Sequence, residues 1–207
     1  MNSQALSFLL LLRNRESVVA SMVRTAADIG SGLAESGEGG FAIVAVDERS
    51  GDNTLSHLSL LQARIPQLRI LHDVARGRAL QAAARAARGR HWIVLEDSVD
   101  PAAIRWGLWT VQAGTLAAMV PGELLVVDGT LARTHLGAFR GGLRAAQRTI
   151  ERAVRAHHQR PALRPSEHGL AGRAGAVVLR LLGRDATRAP IPDPALLTRG
   201  GGEPAKG

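Results

Sequence analysis

The chain has no cysteine and no tyrosine. Without thiols it can build neither disulfides nor thiolate metal sites, and its composition fits a reducing compartment. Aromatic residues make up only 3% of the sequence, too few for the base-stacking platforms of single-stranded nucleic-acid binders. Lys206 is the sole lysine, so the net charge of +8 comes almost wholly from arginine. Arginine in so alanine-rich a chain follows GC-rich coding, and nucleic acid is not an expected partner. Long apolar runs are missing too: the four leucines at 9–12 fall far short of the ~18 apolar residues of a spanning helix. No basic-then-apolar leader opens the sequence. The expected location is the cytoplasm, with any membrane met from its inner face.

What remains is ample for folding. In 207 residues, 45% hydrophobic, the default is one domain around one core. Apolar strand patterns at 6–12, 41–46, 68–72 and 91–96 alternate with helical patterns at 15–30, 53–63, 77–88 and 101–112. Such alternation predicts an α/β fold: a mostly parallel sheet with helices on both faces. Two further strands, 117–120 and 123–127, flank Pro121-Gly122, and Asp128-Gly129 reads as a turn. The Gly/Ser/Glu segment 30–40 reads as a long, mobile loop. A helix at about 171–183 is expected to close a domain of residues 1–183, and the Pro/Gly-rich stretch 184–207 is expected to be a flexible tail.

Residues 46–54 read V-D-E-R-S-G-D-N-T directly after an apolar β-branched run. This predicts a buried strand ending in a polar turn with two adjacent acids, Asp47 and Glu48, at its tip. In open α/β sheets ligands bind at that carboxyl edge. The segment resembles the V-D-D-G-S-T-D-G-T signature of family-two inverting glycosyltransferases. Residues 7–16, S-F-L-L-L-L-R-N-R-E, resemble the family's opening S-V-V-I-P-x-Y-N-E, with Ser7 and Asn14 in place. Leu11 replaces the proline, and Arg15 replaces the acid after the asparagine. Residues 73–80, D-V-A-R-G-R-A-L, followed by A-R-G at 87–89, resemble N-x-G-K-G-x-A-L and a later A-x-G. The resemblance implies a single-domain, Rossmann-like A-type glycosyltransferase fold binding a nucleotide diphosphate sugar. Asn14, Asp47 and Glu48 would hold the nucleoside. Arg76 would meet the diphosphate, and Gly77 would let the backbone approach it closely.

The next segment departs from the family. Residues 92–101 read W-I-V-L-E-D-S-V-D-P, where active relatives carry a metal-binding D-x-D. Ser98 or Leu95 stands at one aspartate position, depending on where a one-residue gap falls. Glu96, Asp97 and Asp100 are the remaining candidates for weak binding of Mg2+ or Mn2+, which need few protein carboxylates beside substrate phosphates. The alternative is that Glu96 and Asp97 cap the following helix, which Pro101 opens.

Residues 140–160 carry eight arginines or histidines on a helical period, with an apolar stripe of Leu143, Ala146, Ile150, Ala153, Val154 and His157. His157 and His158, being adjacent, point different ways and are read as surface residues. Near the end, G-L-A-G-R-A at 169–174, Ala189-Pro-Ile191 and the run 199–206 resemble segments of polyprenyl-phosphate sugar transferases of the dolichol-phosphate-mannose synthase type. In those relatives a basic amphipathic stretch meets the membrane on the acceptor side. Here Arg144, Arg148, Arg152 and Arg155 would form that face, drawn to anionic headgroups or a polyprenyl phosphate. Three functions compete: sugar transfer, a catalytically inactive binding or scaffold module of the same fold, and an arginine-rich polyanion binder. Metal-dependent turnover separates the first two, and salt-steep polyanion binding marks the third.

Overall fold

A computed structural model describes residues 4–166, apart from residue 38. The expected helix at 171–183, the tail and the motifs at 169–206 lie outside the described residues. Within them, the alternating pattern folds as β1 (Gln4–Leu12), α1 (Val19–Glu35), β2 (Gly40–Asp47), α2 (Thr54–Gln62), β3 (Leu68–Leu71), α3 (Ala79–Ala86) and β4 (His91–Leu95). Then come α4 (Pro101–Gln112), β5 (Ala117–Val120), β6 (Leu124–Asp128), α5 (Gly129–Leu136), α6 (Leu143–Ala156) and β7 (Ala162–Leu163).

The seven strands form one mixed sheet in the order β3-β2-β1-β4-β6-β5-β7. β1, β2, β3 and β4 run parallel, whereas β6 is antiparallel to both β4 and β5. The chain builds outward from β1 through β2 and β3, then crosses to the other side of β1 for β4. That reversal is the topological switch point beside which α/β sheets hold ligands.

β1 shows why both faces are covered. Phe8, Leu10 and Leu12 pack on one side with α1, α2 and α4, while Leu9 and Leu11 pack on the other with α3, α5 and α6. A continuous apolar strand is what a doubly covered sheet requires. At the β5–β6 hairpin, Pro121 and Gly122 (φ 76°) occupy the corners of a tight turn closed by Glu123 N donating to Val120 O at 3.0 Å. Only glycine takes that positive φ without strain.

Three segments differ from expectation. α1 starts at Val19 and runs on to Glu35, so most of the predicted loop 30–40 is helix. Gly30, read as a breaker, lies under the Phe41 ring, where a Cβ would come within 2.4 Å of it. Asp128-Gly129 is not a plain turn. The Asp128 carboxylate accepts from the Thr130 and Leu131 amides at 2.9 and 3.0 Å and so caps α5, whose Leu131, Ala132 and Leu136 are buried. β7 is a two-residue addition paired to β5, too short to leave a sequence pattern.

Candidate functional site

Three loops meet at the carboxyl edge of β1, β2 and β3, and they are tied by side chains. Asn14 adopts a left-handed conformation (φ 52°); its amide donates to Ser50 Oγ and its Oδ1 accepts from Gly51 N, both at 2.9 Å. Arg15 N donates to Thr54 Oγ1 at 2.8 Å. Glu16 N donates to Asp52 Oδ2 at 3.0 Å, and Glu16 Oε2 accepts from Asn53 N at 2.9 Å. Arg49 (φ 54°) pairs with Asp73 (φ 58°) at 2.7 Å, joining the second loop to the third. Backbone strain of this kind concentrates at functional sites.

Asp47 and Asp52 hold this rim from within. Asp47, only 3% exposed, accepts from Ser50 N at 3.1 Å and from the Ser50 hydroxyl. Asp52 accepts from Thr54 Oγ1 at 2.5 Å, Thr54 N at 3.0 Å and Glu16 N at 3.0 Å. Partial desolvation pushes the Asp52 pKa up. The hydrogen bonds from the Thr54 hydroxyl and the Glu16 and Thr54 amides outweigh it and hold the carboxyl below its ordinary value.

Between this rim and the start of α6 lies a cleft of about 190 Å³, lined by Leu11, Leu12, Arg13, Arg15, Glu48, Gly77, Ala79, Glu96, Gly141 and Gly142. Its floor is the apolar end of β1. Its walls include the N-termini of α3 and α6, each capped by a carboxylate from a distant strand end. Glu48 Oε1 accepts from Ala79 N at 2.8 Å, and Glu96 Oε1 from Leu143 N at 2.5 Å. Gly77 (φ 73°) turns the chain into α3 and accepts from Gly141 N at 3.0 Å, closing one end of the cleft. Arg15 projects along the wall: its Nε donates to the Glu96 carbonyl at 3.1 Å, and its Nη2 lies 3.5 Å from Asp97 Oδ2. Arg13 stands exposed at the mouth. An apolar floor, two guanidiniums and a glycine turn suit a polyanionic group joined to a planar one.

Of the nucleotide candidates, Glu48 and Gly77 line the cleft. Asn14 and Asp47 serve the rim, and Arg76 is exposed outside the lining. The metal candidates are not brought together. Glu96 caps α6, Asp97 pairs with Arg15, and Asp100 caps α4 through Ala102 N at 2.9 Å while standing 3.9 Å from Arg164. Among the described residues, no group of three or more His, Asp or Glu side chains could hold an ion. Glu96, Asp97 and Asp100, the expected Mg2+ or Mn2+ set, therefore form no three-carboxylate cluster here. The expectation that Glu96 and Asp97 cap the next helix is corrected: Asp100 caps it, and Glu96 caps α6.

Arg144, Arg148, Arg152 and Arg155 are exposed on the outer side of α6, with Arg155 paired to Glu151 at 2.6 Å. The apolar stripe is buried as expected except at His157, which is exposed at the helix end. Gln147 is buried instead. Its amide nitrogen donates to the Val120 and Leu124 carbonyls and its oxygen accepts from Gly122 N, each at 2.8 Å. Sequence reading also missed Arg13, Gly141 and Gly142; the paired glycines ahead of the basic helix were the available signal. No helix among the described residues is long and apolar enough to cross a membrane.

No protein-family model matches the chain, and no curated protein does. Solved structures do. A mannosyltransferase from Pyrobaculum calidifontis, solved with GDP-Man and Mn2+, superposes with a TM-score of 0.54 at 15% identity, over 89% of this chain and 66% of that one. TarS from S. aureus with UDP-GlcNAc gives 0.57 at 11% identity, over 83% and 61%. Mannosyl-3-phosphoglycerate synthase from Rubrobacter xylanophilus gives 0.54 at 15% identity, over 93% and 80%. The chain thus spans about two thirds or less of the first two. At these identities the likeness is one of fold: the described domain has the A-type fold of nucleotide-diphospho-sugar transferases.

Proposed function

We propose that the chain binds a nucleotide diphosphate sugar in the cleft at the switch point and transfers the sugar to an acceptor with inversion. The observation that carries this reading is the joining of an apolar floor, Arg13, Arg15 and the Gly77 turn at the carboxyl ends of β1, β2 and β4. It is supported by the fold shared with three structures of sugar-transferring enzymes. The nucleoside would lie against the rim that Asn14 and Asp47 fix, with Glu48 facing it, and the diphosphate would run toward Gly77 and the guanidiniums. Arg76, exposed on the same loop, is free to swing toward a bound diphosphate. The acceptor we favour is a polyprenyl phosphate at an anionic membrane surface. α6, with its exposed arginines, begins at the cleft wall, and a phosphate acceptor can attack without a general base.

A second reading is a binding module without turnover. It is favoured by the two cleft carboxylates, Glu48 and Glu96, each of which already holds a peptide N–H. Calorimetric titration with UDP, GDP and their sugar conjugates, followed by assay of sugar transfer to polyprenyl phosphate in vesicles, tests both. Tight diphosphate binding with transfer supports the enzyme, and binding without transfer supports the module. Affinity no greater for the diphosphates than for the bare nucleosides refutes both.

A further inference from the structure

Two departures in the sequence meet in the structure. Arg15 stands where the resembled family carries an acid, and residues 96–98 have lost its acid spacing. The two lie 81 residues apart, yet the Arg15 guanidinium is bonded to the Glu96 carbonyl and faces the Asp97 carboxylate at 3.5 Å. A permanent cation therefore occupies the wall where a carboxylate-held ion would sit. A dication between Glu96 and Asp97 would stand beside a guanidinium that cannot deprotonate. It would also compete with the Leu143 amide for Glu96 Oε1.

We infer that Arg15, assisted by Arg13, replaces the divalent cation at the diphosphate, so that nucleotide diphosphate binding by this chain requires neither Mg2+ nor Mn2+. The inference rests on the nucleotide reading above. Three features fit Arg15 for the task. Its Nε is anchored on a main-chain carbonyl, which orients the fork and, once Asp97 is exchanged, leaves the Nη hydrogens for phosphate oxygens. Its side chain is 39% exposed, open to the cleft yet shielded on one side. Its partner Asp97 is 55% exposed, and so open an ion pair is weak and readily exchanged for a more highly charged phosphate. The guanidinium is thus held in place before the ligand arrives, and the counter-ion it releases is easily solvated.

The test is calorimetric titration of UDP and GDP into the full chain, first after dialysis against EDTA and then with excess Mn2+. The expected result is a Kd that agrees between the two buffers within about threefold. Arg15→Ala should weaken both diphosphates by roughly tenfold to a hundredfold, the loss of one or two charge-assisted hydrogen bonds. It should weaken UMP and GMP much less, and Arg15→Lys should fall between. Thermal melts check folding, and if Arg15→Ala does not fold, Arg15→Lys carries the comparison alone. Binding that disappears with EDTA and returns with Mn2+ overturns the inference and leaves the nucleotide reading standing. Equal losses for mono- and diphosphates in the Arg15 variants also overturn it. No binding in either buffer overturns the nucleotide reading itself, and the inference with it.

Discussion

Glu96→Ala separates a helix cap from a metal ligand. Glu96 Oε1 lies 2.5 Å from the amide of Leu143, a residue with no exposed surface, at the first turn of α6. α6 has no side-chain cap of its own, since Gly142 holds that position. Removing the carboxylate leaves a helix N-terminal donor without its acceptor, a loss of about 1–2 kcal/mol. It also removes a charge–dipole attraction worth roughly 0.3–1 kcal/mol. The sum is near 2 kcal/mol, or about 4–8 °C in Tm for a domain of this size. Glu96→Gln keeps an acceptor and loses only the charge, so it should cost less than about 1 kcal/mol. Gly142→Ala probes the same contact from the other side, because its Cβ would lie 2.6 Å from Glu96 Oε1 and push it off the amide. The backbone there (φ −92°, ψ −174°) accepts alanine, so the cost should vanish in the Glu96→Ala background. Urea denaturation of the five proteins reads these differences as shifts in midpoint at constant slope. The capping argument fails if Glu96→Ala is as stable as the parent, or if Gly142→Ala costs the same in both backgrounds.

Gln147→Leu keeps size but strands two carbonyls and the Gly122 amide at the β5–β6 turn, and should cost about 2–4 kcal/mol in urea denaturation; a cost below 1 kcal/mol would show that water replaces the amide. Asp52 has a folded pKa below its unfolded value of about 3.9, so its contribution is full above that value and is lost as pH falls through the folded pKa. The stability gap between the parent and Asp52→Asn should therefore be largest near neutrality and close in acid, and a gap equal at pH 2 and pH 7 contradicts the assignment. α6 should draw the chain to anionic vesicles through Arg144, Arg148 and Arg152, at up to ~1 kcal/mol each, with Arg155 adding less because Glu151 already holds it. Co-sedimentation should fade with salt; pelleting with neutral vesicles at high salt, or stronger binding to a DNA duplex, would refute the headgroup reading.

The parallel half of the sheet was legible because β1, β2 and β4 are apolar on both faces and separated by helical periods of ordinary length. Pro101 announced α4 by local chemistry, and Pro121-Gly122 announced the hairpin. What misled were residues with two local meanings. Asp128-Gly129 is both a turn signal and an N-cap with a small first helical residue, and the buried Leu131, Ala132 and Leu136 decide for the cap. Gly30 suggests a break, but the helix continues because Phe41 fills the space over it, a contact made only in the folded chain. Ser7 and Gly89, matched as motif residues, turn out to bind each other. Gly89 N donates to Ser7 Oγ at 2.9 Å, and a Cβ at Gly89 would strike the Leu6 backbone at 2.5 Å.

The acids were read as belonging to one edge, and two of them serve there as helix caps. Glu48 and Glu96 cap helices that begin 31 and 47 residues later, and capping rules, being local, cannot see a partner at that distance. The deficit itself was visible. α3 and α6 start behind Arg78 and Gly142, and neither has a side chain that accepts from the helix's first amides. A helix N-terminus directed into a cleft between strand ends must find an acceptor, and the nearest acids supply it. Each carboxylate thereby commits one oxygen to a helix amide. The helix ends that in other folds greet a phosphate are here occupied, and the cleft's attraction for anions falls to the guanidiniums of Arg13 and Arg15. Charge at this site is therefore carried by side chains that keep it at every physiological pH.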